Sequence, residues 1–128
     1  MTDLELIKKA MEARERCYCP YSDFPVSAAL LSDSGKVFTG VNVENASYGL
    51  TICAERVAVG TAVASGERGF TTMAIVVKNG GSPCGACRQV LNEFSPALRI
   101  LMANENGDLV RETTLEKLLP EAFGPHSL

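Results

Sequence analysis

Apolar residues recur at Leu4, Ile7 and Met11, joined by Leu6 and Ala10, with charged residues between them. That spacing predicts a helix over Asp3 to Arg16 with one face for the core. Pro20 and Pro25 break it. Val26 to Leu31 is a short apolar run closed by Ser32-Asp33-Ser34-Gly35, and Lys36 to Val43 follows. Two such runs around a turn signal predict a hairpin. Thr71 to Lys78 reads as a third strand, bounded by Gly69 and by Asn79-Gly80-Gly81. Leu98 to Ala103 is a fourth, and Glu105-Asn106-Gly107-Asp108 turns into a short fifth at Leu109 to Glu112. Strands alternate with helical stretches in the second half only. The pattern predicts α/β layers around one mixed sheet of about five strands, in one domain over residues 1–128.

Cys53 to Ser65 also reads as a helix, but Ala54, Val57, Ala58, Val59, Ala62, Val63 and Ala64 leave it few polar faces. A helix apolar nearly all round is buried on more than one side. A subunit interface would explain it, and so would burial between the sheet and a neighbouring loop.

Composition narrows the function classes. Twelve basic against fifteen acidic residues give a net charge of −3, which argues against a broad nucleic-acid footprint. No apolar run reaches membrane-spanning length. The N-terminus mixes Asp3, Glu5, Lys8 and Lys9 with apolar residues, unlike a secretory signal, so the expectation is a cytoplasmic protein. Five cysteines suit metal binding or catalysis in a reducing compartment better than a disulfide framework. The one histidine, His126, excludes a site with several imidazole ligands.

Ser82-Pro83-Cys84-Gly85-Ala86-Cys87-Arg88 opens a further helix, running to about Phe94. Ser82 suits the N-cap and Pro83 the first helical position. Cys84 and Cys87 then share the first turn, where free N–H groups and the helix dipole favour thiolates. Two such thiolates are half of a zinc site; a redox pair or two inert thiols are the alternatives. The second half lies upstream in Cys53-Ala54-Glu55-Arg56. C-x-E followed by P-C-x-x-C matches the general zinc-deaminase signature, in which a cysteine can replace the histidine. Three protein ligands leave a fourth position open for water, as a catalytic zinc requires. A structural zinc would want a fourth ligand, for which only Cys17 and Cys19 remain. Residues i and i+2 of a regular helix face different ways. Cys53 and Glu55 share a cavity only if it lies over the helix N-terminus, so the pattern predicts two helix N-termini converging on one metal.

The chain resembles the small, tetrameric, three-cysteine cytidine deaminases over nearly its whole length. The resemblance is carried by Pro20-Tyr21-Ser22-x-Phe24, by Gly40-Val41-Asn42-Val43-Glu44-Asn45-Ala46-Ser47-Tyr48-Gly49-Leu50, by Cys53-Ala54-Glu55-Arg56, by Pro83-Cys84-Gly85-Ala86-Cys87-Arg88-Gln89-Val90-Leu91, and by Leu118-Leu119-Pro120-x-Ala122-Phe123. Ser27 stands where a glycine is common in the family, and Cys17 and Cys19 match nothing in its pattern; they read as ordinary thiols. The resemblance implies a three-layer α/β/α domain assembled as a homotetramer with active sites shared between subunits. It implies hydrolysis of cytidine and 2'-deoxycytidine to the uridines plus ammonia, a step of pyrimidine salvage. One zinc per chain would sit on Cys53, Cys84 and Cys87, with Glu55 as proton shuttle. Asn42 and Glu44 would hold the ribose, Phe24 would pack against the pyrimidine, and Ala54 would also contact substrate. Ala46, Tyr48 and Phe123 would reach sites in neighbouring subunits, and Arg56 would hydrogen-bond the thiolates.

The residues fit that chemistry. Displacing an amino group from C4 of cytosine needs a nucleophile scarce at neutral pH, which a zinc-activated water supplies. Three thiolates weaken the metal's pull on that water, and two helix N-termini and Arg56 offset them. A bystander surface charge is the plain alternative for Arg56, and a dipole-satisfying acid for Glu55. Asn42 and Glu44 project to one side if the strand continues that far. A carboxylate accepts from a sugar hydroxyl and repels a phosphate, so Glu44 favours a nucleoside; a solvated strand end is the alternative. Phe24 and Phe123 would more often be core residues. Two other readings stay open: a deaminase of the same fold acting on another aminopyrimidine, and a structural zinc module that binds a partner.

Overall fold

The computed structural model describes residues 1–128. Helix α1 spans Asp3–Ala13 and tightens into a 3₁₀ turn at Arg14–Arg16. Its start is a capping box: the Glu5 amide donates to the Thr2 hydroxyl, and the Thr2 amide donates back to the Glu5 carboxylate. Leu6, Ile7, Ala10 and Ala13 form its buried stripe, with Met11 half-buried; Leu4, an expected core position, is exposed because the stripe starts two residues later. Strands β1 (Ser27–Ser32) and β2 (Val37–Val41) make the expected antiparallel hairpin. Helix α2 (Ala54–Ala64), strand β3 (Phe70–Val76), helix α3 (Gly85–Phe94) and strand β4 (Arg99–Ala103) follow. Strand β5 (Leu109–Thr114) and a single helical turn α4 (Leu115–Leu118) come next.

The five strands form one sheet in the order β2-β1-β3-β4-β5. Only β3 and β4 pair in parallel; the other neighbours are antiparallel, so the sheet is mixed. Both of its faces are covered. Ala28, Leu30, Met73, Ile75, Ile100 and Met102 point to the face under α2, α3 and α4, while Ala29, Ala74, Val76, Leu101 and Ala103 point to the face under α1. This double burial is why the central strands read as continuous apolar runs rather than as alternation.

Strand directions decide where the helices begin. β2 and β3 both run antiparallel to β1, so they run parallel to each other, and β4 runs parallel to β3. The β2-α2-β3 and β3-α3-β4 crossovers step the same way along the sheet. Right-handed crossovers then put both helices on one face, with both N-termini at the same edge.

Three details differ from or sharpen the sequence expectations. Helix α3 starts two residues later than its cap signals suggest: Cys84, not Ser82, is the N-cap, in an extended conformation with ψ 169°. The Ser82 hydroxyl and the Pro83 carbonyl instead accept hydrogen bonds from the Arg88 guanidinium. Helix α2 buries Ala54, Ala58, Val59 and Ala62 against the sheet but leaves Gly60, Thr61 and Ala64 exposed. Ser27, the departure from the family pattern, donates its hydroxyl to the Ala10 carbonyl at 2.7 Å and ties β1 to α1.

Candidate active site

Two cysteines cap two helices. Cys53 is the N-cap of α2 and Cys84 the N-cap of α3, and neither side chain makes a cap hydrogen bond. Cys87 lies in the first turn of α3 and is buried. The topology brings the caps together: Cys53 and Cys84 sulfurs are 4.0 Å apart, Cys84 and Cys87 sulfurs 3.5 Å, and all three lie within 4.8 Å of one another. Four ligands at about 2.3 Å around a tetrahedral zinc have neighbouring sulfurs about 3.8 Å apart. The observed spacings therefore fit a zinc ion. Neither Cys17 nor Cys19 joins the cluster, so the donor set is three thiols and a closed four-cysteine site does not form. The Cys17 thiol donates to the Val26 carbonyl at 3.2 Å, an ordinary structural thiol.

The electrostatics point the same way. Burial, with the charges of Glu55 and Cys53, pushes the Cys87 thiol up, a crowding of like charge that a divalent cation relieves. Burial also pushes the Cys84 thiol up, but backbone donation from Cys87 and Ala86 and the neighbouring thiols outweigh it and hold it below the ordinary value. Arg56 supplies the positive charge: its Nη2 donates to the Cys53 sulfur at 3.3 Å. Hydrogen bonds to Cys53 and Cys87 raise its pKa further, so it stays a cation.

Glu55 follows Cys53 by two residues and is buried, its Oε1 lacking any hydrogen-bond partner. Burial pushes its carboxyl above the usual carboxylate range. A surface acid satisfying a helix dipole would have neither property. Glu55, Cys53, Cys84 and Ala54 line one cavity of about 550 Å³ with Phe24, Val26, Asn42, Glu44 and Thr51.

Asn42 and Glu44 both face this cavity although β2 ends at Val41. The chain stays extended because Val43 bridges Ile52 and Tyr18. Asn42 is buried and clips the neighbouring segment: its amide donates to the Phe24 carbonyl at 2.9 Å and accepts from the Val26 amide at 3.3 Å. Glu44 accepts from the Tyr21 and Ser22 amides and from the Ser22 hydroxyl. The Ser22 hydroxyl leads the effects that hold its carboxyl below the ordinary value. Three donors leave about one of four lone-pair sites for a ligand hydroxyl. Phe24 is no core residue: it is 45% exposed and faces the cavity.

Ala46, Tyr48 and Phe123 lie outside this cavity. Tyr48 is 73% and Phe123 59% exposed. Tyr48 stacks obliquely on Tyr21, centroids 5.8 Å apart, beside a second hollow that shares Ser22, Glu44 and Thr51 with the first. Phe123 is held through its carbonyl by the side chains of Gln89 and Asn92 on α3. Sequence reasoning did not single out Lys78, Gly80, Gly81 and Ser82 as cavity residues. The one available signal was that they bridge β3 and the Cys84 cap. Ser22 was quoted only as part of a motif, without its partnership to Glu44.

Residues 1–103 match the family model described as the cytidine and deoxycytidylate deaminase zinc-binding region. The chain is 47% identical over 127 residues to the cytidine deaminase of Sporosarcina psychrophila, covering 97% of this chain and 93% of that one. It is 50% identical over 121 residues to the cytidine deaminase of Halalkalibacterium halodurans, covering 92% and 91%. The crystal structure of cytidine deaminase from Burkholderia pseudomallei superposes with a TM-score of 0.91 at 50% identity, over 96% of this chain and 100% of that one. With three thiols at zinc spacing, a buried carboxyl beside them and this likeness along the chain, the protein belongs to the cytidine and deoxycytidylate deaminase family.

Proposed function

We propose that residues 1–128 form one catalytic domain that hydrolyses cytidine and 2'-deoxycytidine to uridine and 2'-deoxyuridine, releasing ammonia. The observation that carries this is Glu55: a buried carboxyl with an unpartnered oxygen, in the same cavity as the thiols. One zinc per chain on Cys53, Cys84 and Cys87, when bound, supplies the Lewis acidity that brings the pKa of water to about 7.

The chain's own groups do the rest. Glu55 takes a proton from the attacking water and passes it to N3 of the ring. It then takes the remaining proton from the new C4 hydroxyl and delivers it to the leaving amine as the C4–N bond breaks, so one water enters and one ammonia leaves. Its raised pKa suits a group that must both accept and donate. Arg56 and the two helix N-termini offset the thiolate charge. Asn42 and Glu44 bind the ribose hydroxyls, with Glu44 turning away a phosphate. Phe24 and Ala54, which both line the cavity, pack against the base.

The cavity is open in one chain, and Tyr48, Leu50 and Phe123 present large apolar side chains to solvent. These support a homotetramer in which Ala46, Tyr48 and Phe123 complete sites on neighbouring subunits. No helix is long and apolar enough to cross a membrane, and all five cysteines are free thiols. Five free thiols fit an enzyme of a reducing compartment such as the cytoplasm. The test is the loss of cytidine absorbance on adding purified protein, with zinc counted on the same sample. Conversion to uridine with one zinc per chain is expected; a zinc-loaded protein inert on both nucleosides would overturn the substrate assignment.

A further inference from the structure

The three thiols come from two elements, Cys53 from α2 and Cys84 with Cys87 from α3. Their geometry therefore depends on where α2 sits over the sheet. Gly40 of β2 lies directly under the first turn of that helix. A Cβ on Gly40 would fall 2.2 Å from the Ala54 carbonyl oxygen, 2.5 Å from the Ala58 nitrogen and 3.0 Å from the Ala58 Cα. All three are backbone atoms, so no side chain can turn aside. The first two face each other as the i and i+4 groups of the opening turn. A methyl group would be wedged into that hydrogen bond. Gly40 is not in the left-handed region, so close approach is the reason for glycine here. Its register partner Ala28 is fully buried in the same cluster as Ala54 and Ala58, so small residues meet small residues across this contact.

We propose that Gly40 is a positioning residue for the reaction: its missing side chain sets the height of α2 over the sheet, and so places the Cys53 sulfur and the Glu55 carboxyl relative to Cys84 and Cys87. Restoring ordinary contact distances requires α2 and β2 to part by about 1 Å, and because β2 is paired residue by residue to β1, the shift falls on α2. Such a shift changes the Cys53–Cys84 spacing but not the Cys84–Cys87 spacing, which is internal to α3. It carries Glu55 along with Cys53.

The proposal rests on the zinc and Glu55 reading above, and its test separates the two. Gly40→Ala is compared with the parent for kcat, KM, zinc affinity in chelator competition and the cobalt(II) absorption spectrum. Ile7→Val serves as a control; it trims the core on the opposite face, under α1. The expected result for Gly40→Ala is a kcat lower by about 100-fold, the scale of a 1 Å misplacement, with KM moving far less. The expected metal result is weaker zinc binding and an altered cobalt spectrum. Ile7→Val should lose thermal stability with kcat and spectrum unchanged. If Gly40→Ala does not fold, Ala28→Val applies the same push from the neighbouring strand and carries the test. A folded variant at either position with parental kcat and cobalt spectrum would overturn the proposal. A parent that binds zinc but leaves cytidine intact would instead overturn the functional reading, and the metal affinity and spectrum would still decide the role of Gly40.

Discussion

The Arg56 guanidinium donates to the Cys53 sulfur at 3.3 Å, from the first turn of the helix that Cys53 caps. A cation in that place draws electron density from the thiolate and restores some of the metal's pull on water. Arg56→Gln should keep zinc and fold yet run about 10- to 100-fold slower, the usual cost of losing a partner of a metal ligand. Removing the positive charge disfavours the anionic nucleophile, so the acid limb of the pH–rate profile should move to higher pH. An unchanged profile would make Arg56 a bystander.

Glu55→Gln preserves shape and removes the proton carrier. It should retain one zinc per chain and the parent's thermal stability to within a small shift. Turnover should fall by about 10²- to 10⁴-fold, the range for losing a general acid–base. Turnover of cytidine at the parental rate would take Glu55 out of the mechanism.

Cys84→Ala should cost both metal and activity, because it removes the sulfur that stands near both others, 4.0 Å from Cys53 and 3.5 Å from Cys87. Metal analysis of the purified variant decides it. Full zinc occupancy would overturn the ligand assignment.

Asn42→Ala removes both hydrogen bonds that hold Phe24 and Val26. Leaving those backbone groups unpaired should cost about 1–3 kcal/mol in denaturant unfolding. KM should rise, since Phe24 and Asn42 both line the cavity. A KM equal to the parent's would confine Asn42 to a structural role.

Thr2→Ala tests the helix start, with an expected loss of about 1 kcal/mol at neutral pH. Donation from Thr2 holds the Glu5 carboxyl below its ordinary value. A lowered folded pKa means the Glu5 contribution is complete above the unfolded value of about 4.3 and is lost as pH falls through the lower folded one. Alanine keeps the residue 2 amide, the first of those donors, so only the hydroxyl's share separates the two proteins: their difference should narrow modestly over that acid range, and a constant difference would show that the amide alone holds Glu5.

Much of the local structure was legible in the chain. The helical period of α1, the Ser32–Gly35 turn and the flanking Gly and Pro residues act within a few positions of themselves, although Leu4, read as part of the core face, is exposed. They predicted elements whose ends lie within a few residues of those observed. The start of α3 was misjudged because Ser82 and Pro83 have good cap chemistry, but their polar atoms are taken by Arg88, six and five residues on. Phe24 and Phe123 read as core by type, yet both are exposed. Nothing in a residue's identity says which side of the sheet edge its loop will take.

By itself the sequence determined most of the elements, the Cys84–Cys87 pair and the pairing of Cys53 with Glu55 at a helix start, because spacing and capping are short-range; that Cys53 joins that pair and Cys17 and Cys19 do not was decided by the tertiary structure. The convergence of two helix N-termini was inferred from the spacing of Cys53 and Glu55, but what brings the N-termini of α2 and α3 to one edge is tertiary: parallel strand directions and crossover handedness. Tertiary structure alone decided that the Glu55 Oε1 is buried without a partner and that Gly40 lies against the Ala54 carbonyl. Contacts between residues fourteen and thirty-one positions apart, as Gly40–Ala54 and Cys53–Cys84 are, depend on how whole layers pack, and no local pattern encodes that distance.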